Sequence, residues 1–204
     1  MRGSSPANWL TALGTIAVAA AAIWGDWLKA RLLPPRVSIE EQNAGGNLTQ
    51  YGNGRPVMFF HFKVVNHRPY WPLRNCRVLL VGLARRGPDN EFRPVPMAIP
   101  FQLVWAPFES TPALTAVQRE QPFDFGVLVS PTPLEPGQFR PALYQTPNDF
   151  AGFVNGGEAM RYTLRVEADS LGAAKPCVVQ VAWDGVWIND REQMAHHVSV
   201  TLAA

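Results

Sequence analysis

The N-terminal segment from Trp9 to Trp24 contains no charged residue and is mostly apolar. Tryptophans bracket it, Trp27 follows shortly after, and basic residues begin at Lys29 and Arg31. A helix that crosses a bilayer needs about 20 apolar residues, and tryptophans concentrate at the membrane–water interfaces. These five residues therefore predict a membrane anchor formed by a single transmembrane helix.

Prolines give this anchor a boundary, because Pro34-Pro35 cannot continue a helix. The predicted organisation is a short tail at 1–8, the transmembrane helix with its juxtamembrane extension at 9–33, a proline-containing linker at 34–36 and one folded domain at 37–204. More Lys and Arg follow the helix than precede it. The cytoplasmic flank is normally the richer one, so we expect a single-pass protein of the plasma (inner) membrane with its C-terminal domain in the cytoplasm.

Two other interpretations of the N-terminal segment stay open. A cleaved signal peptide would also be alanine-rich with small residues at cleavage sites, although its basic residues usually precede the apolar run. A helix buried in the fold or lying on a membrane surface would usually carry a polar face, and only Thr11 and Thr15 mark one here.

The charge of the chain bears on its partners. The formal net charge is +2, and after residue 36 the basic and acidic residues nearly balance. Nucleic-acid binding depends on a basic face that neutralises phosphates, so nucleic acid is not an expected partner. A run of arginines between 68 and 93 could meet anionic lipid, but a solvated strand surface is the preferred explanation.

Alternation of apolar and polar residues with a period of two predicts strands in the region after residue 36. The clearest example is 161–168, where apolar and charged side chains face opposite ways. Further strands are predicted at 36–41, 58–64, 78–83, 96–105, 123–129, 176–183 and 198–202. The fold class is therefore mainly β, an immunoglobulin-like antiparallel β-sandwich.

Glycine, asparagine and proline predict the connections between these strands. Asp184-Gly185 suits a tight hairpin, and the glycine-rich stretch at 45–54 reads as one flexible loop. Prolines and aromatics are interleaved around 94–147, which predicts long irregular connections, since proline cannot donate in a central strand. One helical turn is expected at 190–195.

The two cysteines, Cys76 and Cys177, both lie in apolar strand-like runs. Buried free cysteine behaves as a small hydrophobic residue, which is the first interpretation. A disulfide between them, and glycosylation of Asn47 in its Asn-Leu-Thr sequence, are alternatives for an exported domain.

The stretch Phe62-Lys63-Val64-Val65-Asn66-His67-Arg68, followed by Leu73 to Leu80, resembles the strand, turn and strand of bacterial immunoglobulin-like modules of the CARDB type. His67-Arg68-Pro69 replaces the glycine usual after the asparagine. The arrangement of one anchor and one such sandwich also resembles uncharacterised bacterial single-pass membrane proteins. The resemblance implies a β-sandwich and transfers no catalytic residue.

Motifs for dinucleotide binding, phosphate loops, nucleophile elbows and zinc ligands are missing from the sequence, so we expect no enzyme and no cofactor. The segment 184–197 is the alternative. Asp184, Asp190 and His196 could converge at a loop to bind a metal or exchange protons. Their simpler roles are turn formation and solvation.

Exposed aromatic residues outside the strands suggest another kind of site. Tyr70, Trp71 and Trp187 could contact a sugar, another ligand or a protein partner, whereas loop aromatics more often seal a core. The leading hypothesis is a non-enzymatic, membrane-anchored β-sandwich that mediates protein–protein interaction or supports a membrane assembly. The alternatives are an exported ligand- or carbohydrate-binding module and an enzyme or metal site at 184–197. The sequence does not predict the oligomeric state.

Overall fold

The computed structural model describes residues 6–32, 36–43, 45–107, 113–169, 171–172 and 174–203. Contacts divide the chain into an N-terminal unit, Met1–Pro35, and a second unit, Arg36–Ala204. The first is built on one helix, α1 (Pro6–Leu32), as the sequence predicts for this region. The second is mainly β.

Helix α1 exposes large apolar side chains, including Trp9, Leu13, Ile16 and Trp24, each at least 60% exposed. None of the helices in the described part of the chain is both long and apolar enough to span a bilayer. The transmembrane helix predicted at 9–33 is therefore not supported. Alanine, glycine and threonine supply much of the segment, and their side chains are small or partly polar.

Several residues assigned to the anchor cannot be placed. The side chains of Trp27, Lys29 and Arg31 lie outside the described part of the structure. So does Pro34-Pro35, the predicted helix stop.

The second unit consists of two antiparallel sheets that form a β-sandwich. The first sheet, numbering strands along the chain, contains β1 (Val37–Glu41), β2 (Asn47–Gln50), β3 (Pro56–Asn66), β7 (Val104–Trp105), β9 (Glu120–Val129) and β10 (Gln138–Pro141). The second contains β4 (Leu73–Arg86), β5 (Phe92–Val95), β6 (Phe101–Gln102), β8 (Thr115–Val117), β11 (Ala159–Glu167), β12 (Cys177–Trp183) and β13 (Val198–Ala203).

Aromatic rings join the two sheets in the core. Phe62 of β3 and Phe125 of β9 have ring centroids 5.2 Å apart, and Phe125 in turn meets Tyr162 of β11 edge to face at 5.4 Å. The buried Tyr162 hydroxyl donates to the Gly152 carbonyl at 2.7 Å. Burial raises the pKa of this hydroxyl well above its usual value, so it remains a donor.

Most of the predicted strands are confirmed. The runs at 36–41, 58–64, 78–83, 123–129, 161–168, 176–183 and 198–202 coincide with β1, β3, β4, β9, β11, β12 and β13. Of 96–105, only the second half forms strands, the short β6 and β7. The helical turn at 190–195 is α2 (Arg191–Met194).

Three expectations about connections are wrong in part. The stretch 45–54 is not one loop, because Asn47–Gln50 forms β2 and pairs with β3. Residues 94–147 are less irregular than predicted, since they contain β6 to β10. Asp184-Gly185 opens the long β12–β13 connection that contains α2, so it does not form a tight hairpin.

Cys76 and Cys177 are free thiols, so the structure has no disulfide between them. Burial raises the pKa of Cys76 to about 12. The pKa of Cys177 is raised to about 11 by the same cause.

Candidate functional site: a groove on the first sheet

The outer face of the first sheet carries a groove of about 970 Å³. Strands β2, β3, β7, β9 and β10 form its floor, and the turn after β2 contributes Tyr51. Large concave sites with mixed apolar and polar linings are the usual location of ligand binding. We take this groove as the candidate site.

Strand register arranges the floor in two rows. In the first row Asn47 pairs with Phe59, Phe59 with Val127, and Val127 with Arg140, across four strands from β2 to β10. Directly opposed residues of an antiparallel pair present their side chains on one face. The row therefore runs from an amide through two apolar residues to a guanidinium.

The second row contains a histidine–aspartate pair. His61 of β3 stands opposite Asp124 of β9, and Val104 of β7 follows Asp124 on its other side. His61 Nδ1 and Asp124 Oδ1 are 2.7 Å apart, and the Asp124 side chain is only 9% exposed. The carboxylate is thus engaged by the imidazole, which it orients at the floor of the groove.

Aromatic rings line the wall next to this pair. The Phe59 ring lies parallel to the His61 ring, with centroids 6.1 Å apart, and Tyr51 meets Phe59 edge to face at the same separation. Partial burial is the largest influence on Tyr51 and raises the pKa of its hydroxyl, against the lowering effect of Arg140 and Arg55. The hydroxyl is therefore neutral at pH 7 and able to donate.

A β-bulge at Phe125 creates this arrangement. The pairing of β3 with β9 shifts between Phe60 and His61, leaving Phe125 as an extra residue. Phe125 and Leu128 consequently both enter the core, while Asp124 and Val127 both line the outer groove. A regular strand would place Asp124 and Val127 on opposite faces.

No protein-family model matches the chain, and no curated protein matches it either.

In the segment 184–197, Asp184 is paired with His197 and not with the predicted Asp190 and His196. Asp184 Oδ2 lies 2.7 Å from His197 Nδ1, at a cleft of about 420 Å³ that His196 also lines. Asp190 caps α2, its Oδ1 accepting from the Gln193 backbone N–H at 2.9 Å. In the described residues no group of three or more potential metal-binding side chains converges.

Asp184 serves the connection itself. Its Oδ1 accepts from the Val186 N–H at 2.8 Å, which closes a side-chain turn after β12. The hydrogen bond from His197 is the main cause that lowers the pKa of the Asp184 carboxyl. These contacts fit a structural role for Asp184 and His197.

The predicted aromatic contact residues do not form one surface. Tyr70 is 91% exposed, whereas Trp71 is half-buried and Trp187 packs against the core. Tyr70 and Trp71 precede β4, and Trp187 lies in the β12–β13 connection. A contact of any one of them with a sugar, another ligand or a protein partner stays a prediction.

The groove residues were not predicted as a site from the sequence. Alternation along 58–64 places His61 opposite the core-facing side of β3, but the alternation does not single out Asp124 or Arg140. Alternation with a period of two identifies the strands. It does not show which residues of β3 and β9 face each other, because that register depends on the bulge. A polar Asp124 between Phe123 and Phe125 is the one local signal.

Proposed function

We propose that the chain is a non-enzymatic binding module whose first-sheet groove takes an extended segment of another protein. The observation that carries this proposal is the pair of cross-strand rows, in which the half-buried Phe59, packed beside the buried Val127, lies next to polar groups. Phe59 offers apolar contact, while Asn47, His61 and Arg140 offer hydrogen bonds. Extended peptides are recognised in this way, through pockets for side chains and polar groups that set the register.

The exposed apolar surface of α1 supports attachment of this module to a membrane. Apolar surface in water costs about 25 cal/mol per Å², so exposed residues such as Leu13 and Ile16 are more stable against lipid. We place the sandwich on the cytoplasmic side of the inner membrane, because basic residues follow the helix. An immunoglobulin-like, CARDB-type assignment of the sandwich belongs to the same proposal.

Peptide binding by the full chain tests the groove. The probe is a fluorescent library of acetylated, amidated octapeptides, measured by polarisation. Tyr51→Ala removes an exposed ring from the groove wall, and we expect it to weaken binding about tenfold, the usual effect of losing one well-packed aromatic contact. Tyr70→Ala is the matched control, since Tyr70 is an even more exposed tyrosine outside the groove.

Each outcome bears on the proposal. Saturable binding that falls with Tyr51→Ala and not with Tyr70→Ala supports it. Loss of peptide binding with Tyr70→Ala alone would indicate that the peptide contacts the β3–β4 connection and not the groove. If no library member binds saturably, the proposed function is wrong.

Vesicle flotation tests the membrane attachment separately. Full-length chain mixed with phosphatidylcholine–phosphatidylglycerol vesicles should float with the lipid. A double Leu13→Gln, Ile16→Gln variant should remain at the bottom of the gradient. Wild-type chain that stays in the aqueous fraction would contradict attachment through α1 and leave the groove proposal standing.

A further inference from the structure

Arg140 lines the groove, and among the described residues no carboxylate lies within ion-pair distance of its guanidinium. It is exposed on β10, and its Nε donates to Gln138 Oε1 at 3.1 Å. Arg55 and Arg85, by contrast, are paired, the first with Glu135 at 2.7 Å and the second with Glu158 at 2.6 Å. The Nη atoms of Arg140 remain available for a ligand.

Two acidic groups, Asp124 in the groove and Glu135, on which Arg140 has a small electrostatic influence, are already engaged. Asp124 is held by His61, and Glu135 accepts from Arg55. Arg55 is the main cause that lowers the pKa of the Glu135 carboxyl, with a smaller contribution from Arg140. The neutral Tyr51 hydroxyl is also close enough to Arg140 for the guanidinium to influence its pKa. The groove thus presents an available positive charge and hydrogen-bond donors.

We propose that the groove selects a partner segment with an acidic side chain, whose carboxylate pairs with Arg140 while an apolar or aromatic side chain packs on Phe59 and Tyr51. This inference depends on the proposed peptide-binding function and names the chemistry of the partner. Arginine suits the task because its planar fork binds a carboxylate with two parallel hydrogen bonds.

Strand geometry sets the spacing between the two contacts. Phe59 and Arg140 lie on β3 and β10 with β9 between them, so their Cα atoms are about 10 Å apart at 4.8 Å per strand. An extended peptide rises about 3.3 Å per residue. The acidic and the aromatic residue of the partner should therefore lie two to four positions apart.

The experiment compares octapeptides that differ in one residue. Each acetylated, amidated peptide carries one Phe and, two, three or four positions away, Glu, Gln or Lys, with neutral residues elsewhere. Full-length chain should bind the Glu member at the best spacing about tenfold or more tighter than its Gln counterpart, since a hydrogen bond to a charged group is typically that strong. The Lys member should bind most weakly.

Variants at Arg140 identify the residue responsible. Arg140→Gln should abolish the preference for Glu over Gln, and Arg140→Glu should reverse the order of the Glu and Lys peptides. Arg74→Gln is the matched control, because it removes an exposed arginine of the second sheet and should leave the preference unchanged.

The outcomes separate this inference from the function on which it depends. Peptide binding without a Glu preference, or a Glu preference that persists in Arg140→Gln, would overturn the proposal of an acidic partner segment. The proposed peptide-binding function would still stand. Failure of all peptides to bind would overturn both. Reversal of preference by Arg140→Glu would support both together.

Discussion

Gly126 shows how closely one residue controls the groove. A Cβ built at this position would lie 2.4 Å from Cζ of Phe139 and 2.8 Å from the Arg140 carbonyl oxygen. Phe139 is fully buried, so its ring cannot move aside into solvent. The glycine next to the β9 bulge therefore allows β10, which carries Arg140, to pair closely with β9.

We expect Gly126→Ala to lower the free energy of unfolding by about 1–3 kcal/mol, the usual cost of overpacking a core. Urea denaturation followed by tryptophan fluorescence measures this change. Gly172→Ala is the control, because nothing lies within 4 Å of a Cβ at that position and the change should be nearly neutral. Equal stability of the two variants would show that the close contact at Gly126 is not present.

Part of the fold, but not the groove, follows from residue identity alone. The core-facing side of β3, from Met58 to Val64, follows from alternation and is confirmed. Asp124 could not be assigned to a site, because a regular strand and a bulged strand have the same sequence pattern until their partner is known. The pairing of Asp184 with His197 instead of His196 depends likewise on the path of the connection.

The hydrogen bond between Asp184 and His197 in the β12–β13 connection should make the stability of the fold depend on pH in the acidic range. The hydrogen bond from His197 and, to a lesser extent, the Val186 N–H lower the pKa of the Asp184 carboxyl below 3.8. A carboxyl whose pKa is depressed in the folded state stabilises the fold above its unfolded pKa. This contribution is lost as the pH falls through the folded pKa.

An NMR titration of the Asp184 side-chain carboxyl carbon measures this pKa. We expect the wild-type value to lie below 3.8 and His197→Ala to raise it towards that value. His196→Ala should leave it unchanged, because the structure pairs Asp184 with His197. An effect of His196→Ala alone would contradict the described path of the connection.

Secondary structure elements were predicted where the residue pattern is long and regular, as in β3, β11 and β13. Short strands were missed, since Asn47–Gln50, Thr115–Val117 and Gln138–Pro141 have too few residues to show a period. Their strand conformation depends on pairing with β3, β4 and β9. Two of these three strands, β2 and β10, carry groove residues. The groove could therefore not be predicted from periodicity.

The sandwich is stabilised without a covalent link between its cysteines. Cys76 is buried, and Cys177 is half-buried, with pKa values raised to about 12 and about 11 respectively. Thiolate is the reactive form of cysteine. Both thiols should therefore react slowly in the folded chain near pH 8.

Alkylation with iodoacetamide at pH 8, followed by intact mass spectrometry, checks this expectation. Without reductant, the denatured chain should gain two adducts rapidly, whereas the native chain should react much more slowly. A chain that gains no adduct even when denatured without reductant would contain a disulfide and contradict the structure.

We propose that the outer groove of the first sheet holds an extended acidic segment. Chemical-shift mapping of the full-length chain, titrated with the tightest Glu-containing octapeptide, locates the bound peptide. We predict saturable shifts at Asn47, Phe59, Val127 and Arg140, with Tyr70 and Trp187 unaffected. Saturable shifts confined to 67–72, to 184–197 or to the β13 edge would show that the peptide binds elsewhere and overturn the proposed site.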